Sequence, residues 1–166
     1  ALFGGQKEGL GQPVAFALEG VEGVAYFSPR GGRLAREALL KRLSEAQREV
    51  LVAAFVLTDR EVLEALLQAR RRGAEVKVLL ETRNLGTSRE EALLEESLEV
   101  RQDANPYTMH HKVMLLDGTY VVTGSYNFSV RAHEVNNENL LVLKSPSLAE
   151  RYRKEVLRLW EAGSPL

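Results

Sequence analysis

A histidine and a lysine two residues apart, His110 and Lys112, are the residues of this chain best suited to chemistry. Side chains on an extended strand alternate with period two, so the imidazole and the ammonium point to the same face of a sheet. The ammonium would repel a divalent cation, and no pair of carboxylates stands close by in the sequence. The pair therefore predicts metal-independent chemistry on an anionic group, with no cofactor.

Further polar residues follow within fifteen positions of the lysine. By the same parity, Ser125 and Asn127 lie together on the next strand, and a hairpin through Asp117 and Gly118 brings them beside His110. Asp117 has the opposite parity to the histidine. We therefore expect Asp117 to brace the turn or a neighbouring backbone segment rather than to contact substrate.

These residue types are suited to phosphoryl transfer. His110 can attack phosphorus while Lys112 and the amide of Asn127 bind the non-bridging oxygens, which gain charge in the transition state. Loss of one such donor typically costs about 3 kcal/mol of transition-state stabilisation. Ser125 is better placed as a hydrogen-bond donor to a substrate oxygen or to His110 than as the nucleophile.

The same segment resembles the signature of the phospholipase D superfamily, position by position and in spacing. The chain reads H-x-K-x4-D and then G-S-x-N, and the matching residues are His110, Lys112, Asp117, Gly124, Ser125 and Asn127. Glu138 looks like the downstream acidic residue of the family's small bacterial endonucleases, and residues 26–32 look like their first strand and turn. The resemblance covers the chain from about Val24 onward.

The resemblance implies a catalytic site shared between two subunits. Many members of the family carry two copies of the motif, with a histidine from each copy facing the other, whereas this chain has one copy. A twofold homodimer would supply the second histidine, so that one His110 forms the phosphohistidine and the other acts as acid and then as base. A hydrogen bond from the imidazole to Glu138 would fix the histidine tautomer.

In its small size and single motif the chain resembles the bacterial nucleases of the superfamily, and this resemblance favours an endonuclease or broad phosphodiesterase that acts on DNA, with RNA left open as a substrate. Tyr107 is a candidate for stacking on bases, and Arg131 for a phosphate contact, with plain solvent exposure as the alternative for the arginine. One alternative function is a phospholipase or transphosphatidylase that acts on lipid head groups. Another is a catalytically silent module that binds nucleic acid.

Composition sets limits on these functions. The 166 residues fit one domain with a single core, and the net charge of −1, from 22 Lys+Arg and 23 Asp+Glu, is unlike that of a protein that coats nucleic acid. An anionic substrate must therefore be held by a local patch. The chain has no cysteine, which excludes disulfides and thiolate metal sites.

The order of predicted elements favours a layered α/β fold. Strands rich in branched residues alternate with amphipathic helices from residue 24 onward, which predicts an α-β-α sandwich with helices on both faces of a mixed sheet. Thr58 or Asp59 is predicted to cap the second helix, and Arg89 to Ser97 to form a short acidic helix. We predict an N-terminal arm over residues 1–22 and a single catalytic domain over residues 23–166.

The N-terminus and hydropathy bear on location. The chain starts at Ala1 rather than methionine, which fits either a removed signal peptide or a trimmed N-terminus. The secreted and periplasmic members of the resembled family favour a periplasmic or secreted location. No run approaches the roughly eighteen apolar residues of a membrane span, so we expect no stable insertion into a membrane.

Overall fold

The computed structural model describes residues 11–166, which form one nine-stranded mixed sheet flanked by helices. The strands are β1 (Val14–Leu18), β2 (Val21–Phe27), β3 (Glu49–Ala54), β4 (Glu75–Leu80), β5 (Glu99–Gln102), β6 (Lys112–Leu116), β7 (Tyr120–Gly124), β8 (Asn139–Lys144) and β9 (Ser164–Pro165). The helices are α1 (Gly32–Glu45), α2 (Arg60–Arg71), α3 (Glu90–Glu95), α4 (Val130–Glu134) and α5 (Pro146–Ala162), with a 3-10 turn at Thr82–Asn84.

The strand order places the motif hairpin in the middle of the sheet. The order is β1-β2-β8-β7-β6-β3-β4-β5-β9, so β6 is the central strand. All five residues of β6 are buried, as expected for a strand covered on both faces. The β3–β4 and β4–β5 pairs are parallel, and the remaining pairs are antiparallel.

Two hydrophobic cores lie on opposite faces of the sheet, because side chains alternate along each strand. In β3, Val50 and Val52 join one core with buried residues of α1, α2, α3 and α4. Leu51 and Ala53 join the other, which is covered by α5. The predicted layered α-β-α architecture with a mixed sheet is therefore confirmed.

The element bounds differ from the sequence predictions at several ends. Asp59 is the residue that caps α2, because its carboxylate accepts a hydrogen bond from the main-chain N–H of Glu61 at 3.0 Å. The acidic helix is shorter than predicted, at Glu90–Glu95. The sequence pattern did not predict the short elements β1, β9 and α4. The strands β1 and β9 are held by pairing with β2 and β5, and α4 by packing of Ala132 into the core beside α1. None of the helices within residues 11–166 is both long and apolar enough to cross a membrane.

The predicted N-terminal arm contains regular structure in its described part. Residues 1–10 lie outside the described residues, but Val14–Leu18 form an edge strand paired antiparallel with β2. The ring of Phe16 lies where a side chain at Gly23 would be, since a Cβ there would come within 2.3 Å of the ring. The missing side chain of this glycine lets the edge strand close onto the sheet.

Candidate active site

The lysine of the motif begins the central strand, and the histidine lies just before it. Lys112 pairs with Ala54 of β3 and is only 7% exposed, whereas His110 is exposed. The Nζ atom of Lys112 donates a hydrogen bond to the main-chain oxygen of His110 at 2.7 Å. Burial lowers the pKa of Lys112, and the negative charge of Glu138 opposes this shift.

The ring of Phe55 contacts both members of this pair. Its centroid lies 4.5 Å from that of the His110 imidazole, with the two planes at 66°, and Lys112 Nζ lies 4.8 Å from it. The main chain of Phe55 extends the pairing of β3 with β6, because its N–H donates to the oxygen of His111 at 2.8 Å. Sequence reasoning missed this residue, which is one apolar position in a continuous apolar run.

Gly124, the last residue of β7, and Ser125, which follows it, contact Asn139 at the start of β8. Gly124 has φ of 139°, and a Cβ at this position would lie 2.3 Å from the main-chain oxygen of Asn139. The hydroxyl of Ser125 accepts a hydrogen bond from the main-chain N–H of Asn139 at 3.0 Å, and the Ser125 N–H donates to the Asn139 oxygen at 3.1 Å. The close contact between these segments explains the glycine of the motif.

Asn127 is half-buried between two buried aromatic residues, Tyr126 and Phe128. The Phe128 N–H donates to the oxygen of Val56, and its oxygen accepts from the N–H groups of Thr58 and Asp59, each at 2.9 to 3.2 Å. The Oδ1 atom of Asn127 is buried and has no hydrogen-bond partner among the described residues. The main chain next to Asn127 is thus fixed by its neighbours, and the Asn127 Oδ1 atom is a buried acceptor without a partner among the described residues.

Glu138 is held by Asn136 and Ser28 and makes no hydrogen bond to the histidine. Its Oε1 accepts from the side chain of Asn136 at 3.3 Å, and its main chain exchanges two hydrogen bonds with Ser28. Its charge acts on Lys112. Among residues 11–166, the imidazole of His110 makes no hydrogen bond, so the predicted bond from the histidine to Glu138 does not occur within one subunit.

Asp117 braces the hairpin turn and the chain beside it. Both Asp117 and Gly118 have positive φ, of 54° and 63°. The Asp117 carboxylate accepts hydrogen bonds from the N–H groups of Gln47, Arg48 and Glu49, at 2.9, 2.8 and 3.0 Å. Burial acts to raise the pKa of Asp117, but these three donors outweigh it and the pKa is lowered.

The two candidate substrate contacts lie at the surface. Tyr107 is 79% exposed. The main-chain N–H of Tyr107 donates a hydrogen bond to the side-chain oxygen of Asn105 at 2.9 Å, which shapes a local turn. Arg131 is an exposed residue of α4. No bonding partner of its guanidinium is seen among the described residues.

The side chains of the other two histidines, His111 and His133, have different surroundings from that of His110. His133 is buried, and its Nε2 lies 3.6 Å from the carboxylate of its neighbour Glu134. His111 lines a small apolar cavity with Tyr152 and Val156 of α5. In residues 11–166, no three His, Asp or Glu side chains are grouped closely enough to hold a metal ion. That the reaction needs no metal stays a prediction.

Comparison with known families decides where the chain belongs. The family described as cardiolipin synthase, PLD-like domain, matches residues 39–160, which is well over half of the chain. The chain belongs to the phospholipase D superfamily. All the residues of the superfamily motif, from His110 to Asn127, lie inside the matched range.

Named relatives in the phospholipase D superfamily include two phospholipases. The chain is 35% identical to the mitochondrial cardiolipin hydrolase of Xenopus laevis over 129 residues, which cover 76% of this chain and 61% of that protein. It is 33% identical to the phospholipase D of Rickettsia typhi over 128 residues, which cover 76% and 62%. The chain therefore spans about three-fifths of the length of these curated relatives.

Solved structures of the superfamily match the whole fold. Nuc from Salmonella typhimurium, described as a phospholipase D family member, has a TM-score of 0.81 at 29% identity, covering 88% of this chain and 98% of that one. NucT from Helicobacter pylori has a TM-score of 0.81 at 23% identity, covering 88% and 99%, and supports the fold. A phosphodiesterase of the superfamily, close to the Nuc-like proteins, is the enzyme class that these matches support.

Proposed function

We propose that this phospholipase D superfamily member is a metal-independent endonuclease that hydrolyses DNA, and RNA as a second substrate, through a phosphohistidine. The observation that carries the proposal is the buried ammonium of Lys112, fixed at 2.7 Å on the carbonyl of the residue whose imidazole is exposed. A charge held in this way, next to a nucleophile, is suited to a phosphodiester and needs little reorganisation during reaction.

In the proposed reaction, an imidazole nitrogen of His110 attacks phosphorus and the bond from phosphorus to the leaving oxygen breaks. A second histidine gives its proton to that oxygen, then takes a proton from water, which attacks phosphorus and breaks the bond to the first histidine. The ammonium of Lys112 and the NH2 group of the Asn127 amide bind the non-bridging oxygens, and Ser125 and Glu138 complete the site.

We propose that the second histidine is His110 of a second copy of the chain. Three histidines occur in the sequence, and the other two are positioned elsewhere: His133 is buried beside Glu134, and His111 faces α5. Exposed apolar side chains adjoin the segments that carry Ser28, Asn127 and Glu138, namely Phe27, Val130 and Val135. A self-complementary contact at this apolar rim would join two motifs in one homodimeric site.

The share of each relative's length that the alignment covers favours a nuclease over a lipid hydrolase. The alignment with Nuc covers nearly all of that protein, whereas the alignment with the cardiolipin hydrolase leaves about two-fifths of that relative unmatched. Tyr107 is 79% exposed, so its ring is available to stack on a base. The names of the relatives make hydrolysis of a phospholipid the second candidate function.

The first assay measures cleavage of single- and double-stranded DNA in excess EDTA by the native chain and by His110→Ala. A second assay measures release of head group from cardiolipin vesicles by the same two proteins. Cleavage of DNA that survives chelation and is lost in the variant would support the proposal. Hydrolysis of cardiolipin alone would establish the lipid function instead. Binding of DNA without turnover of either substrate would indicate the silent binding module, and its affinity should fall steeply with salt.

A further inference from the structure

We propose that Glu81 is a positioning residue for His110, and that it heads a run of four residues, Glu81 to Asn84, that holds the nucleophile in place. This run, called the 81–84 clamp below, follows β4 directly and includes the 3-10 turn. The inference rests on the proposed function, since it assigns a role toward the nucleophile of that reaction.

The nucleophile needs support from outside its own strand. Regular pairing of β6 starts at Lys112, so His110 lies in the irregular connection between β5 and β6. Its imidazole is exposed and has no hydrogen bond among the described residues. A nucleophile held loosely in this way loses the orientation on which attack depends, and a misplacement of about 1 Å can lower a rate about 100-fold.

Glu81 holds the residue that immediately precedes the nucleophile. The side chain is buried, with 2% exposure, and its Oε2 accepts a hydrogen bond from the main-chain N–H of Met109 at 2.5 Å. Its Oε1 accepts from the N–H of Arg83 at 3.2 Å, which fixes the carboxylate. Met109 is itself 2% exposed and immediately precedes the nucleophile.

The other members of the 81–84 clamp hold the rest of the connection. Thr82 donates from its hydroxyl to the oxygen of Asp103 at 2.7 Å. The guanidinium of Arg83 donates to the Thr108 hydroxyl at 3.1 Å and to the Pro106 oxygen at 3.3 Å.

The last member of the clamp binds the main chain of Phe55, the residue whose ring contacts the nucleophile. The side-chain amide of Asn84 donates to the oxygen of Phe55 at 2.7 Å, and Phe55 contacts the imidazole of His110. Three consecutive residues are thus held through their main chains: Met109 by Glu81, His110 by Lys112, and the next residue by the N–H of Phe55. Such repeated anchoring fixes the backbone from which the imidazole projects, and the Phe55 ring contacts the imidazole itself.

The experiment compares Glu81→Ala and Glu81→Gln with a matched control, Glu90→Ala. Glu90 is also buried, at 8% exposure, and also accepts a hydrogen bond from a main-chain N–H, that of Gly86, but it has no link to the nucleophile. The readouts are kcat and KM on single-stranded DNA, the rate of phosphoenzyme formation, and hydrogen exchange at the Met109 amide.

We expect E81A to lower kcat about 100-fold with KM within about threefold, because orientation and not substrate binding is lost. Exchange at the Met109 amide should rise at least tenfold. E81Q keeps one oxygen that can accept from Met109 and should recover most of kcat. E90A should keep native kcat and native exchange at Met109.

The proposed role of the clamp is rejected if E81A folds and keeps native kcat, or if E90A lowers kcat as much as E81A does. If E81A does not fold, Arg83→Ala replaces an exposed side chain and should lower kcat about threefold at an unchanged melting temperature. Unchanged kcat in Arg83→Ala would then reject the clamp. A native level of cleavage by His110→Ala would instead reject the proposed function, and exchange at Met109 would still test the clamp.

Discussion

The ammonium of Lys112 donates a hydrogen bond to the main-chain carbonyl of His110, with 2.7 Å between Nζ and the oxygen. The lysine therefore holds the histidine's backbone, in addition to the role toward an anion that we propose for it. The face of the Phe55 ring lies 4.8 Å from the same ammonium and 4.5 Å from the imidazole. One aromatic ring thus supports both the nucleophile and the charge that the proposed reaction uses.

The first prediction concerns the alkaline limit of activity. Because burial lowers the pKa of Lys112, the native enzyme should lose kcat/KM as pH rises through a value below the usual lysine range. Below that pKa the ammonium is charged and active. Lys112→Arg keeps its charge at high pH and should remove this limb, at a lower kcat. An alkaline limb at the same pH in both proteins would show that another group titrates.

The second prediction concerns the aromatic support. Phe55→Leu keeps an apolar side chain but removes the ring, so kcat should fall about tenfold, which corresponds to a cation–π contact of about 1.4 kcal/mol. The control is Tyr120→Leu, which removes another such contact, with the Arg42 guanidinium 4.4 Å from its ring, at the turn end of the motif hairpin. Steady-state cleavage should be native in the control. Equal losses in the two variants would reject a specific role for Phe55.

The third prediction compares two glycines of the motif hairpin. Gly124→Ala places a methyl group 2.3 Å from the Asn139 oxygen at a φ of 139°, so it should displace Ser125 and abolish most activity. Gly118→Ala meets no atom within 4 Å, although its φ of 63° is left-handed, and should cost about 1 kcal/mol of stability with activity intact. Urea unfolding and DNA cleavage measure both effects. Native activity in Gly124→Ala would contradict the close contact.

The fourth prediction concerns stability and pH. Asp117→Ala removes the acceptor of three main-chain N–H groups and should lower the free energy of unfolding by about 3 kcal/mol, with kcat of the folded protein near native. Asp117→Asn should lose about half as much, since it keeps one oxygen.

The pKa of Asp117 is lowered by folding, so its contribution to stability is complete above the unfolded value of about 3.9. The contribution is lost as pH falls through the lower folded value. The gap in unfolding free energy between the native protein and Asp117→Asn should therefore shrink below about pH 4. A gap that stays constant down to pH 2.5 would contradict the role of the charged carboxylate.

The fifth prediction tests the shared site. If each site needs His110 from both subunits, a mixed dimer of native and His110→Ala chains is inactive. After subunit exchange with an equal amount of the variant, activity per native chain should fall by about half. Glu90→Ala, added in the same amount, should leave the activity per His110-bearing chain unchanged. Full activity in the mixture would show that each chain works alone, as would sedimentation of an active monomer.

The sequence by itself determined the elements and the chemistry of the motif. Strand and helix patterns from residue 24 onward are periodic, because each element must bury one face or both, and the order of strands and helices predicted the layered sheet. The positive φ at Asp117 and Gly118 is local, and the hairpin could be read from those two residue types. The edge strand β1, at Val14–Leu18, could not, because its place depends on pairing with β2.

Only the tertiary structure decided what surrounds the motif. Phe55 and Glu81 come from the ends of β3 and β4, and nothing in their local sequence marks them as neighbours of His110. The parity rule placed both pairs of motif residues within strands, but His110 precedes β6, and Ser125 and Asn127 follow β7. The rule also could not show that the charge of Glu138 acts on the lysine. The physical reason is that side-chain alternation is a property of one strand, whereas contacts between strand ends follow from the order and twist of the whole sheet.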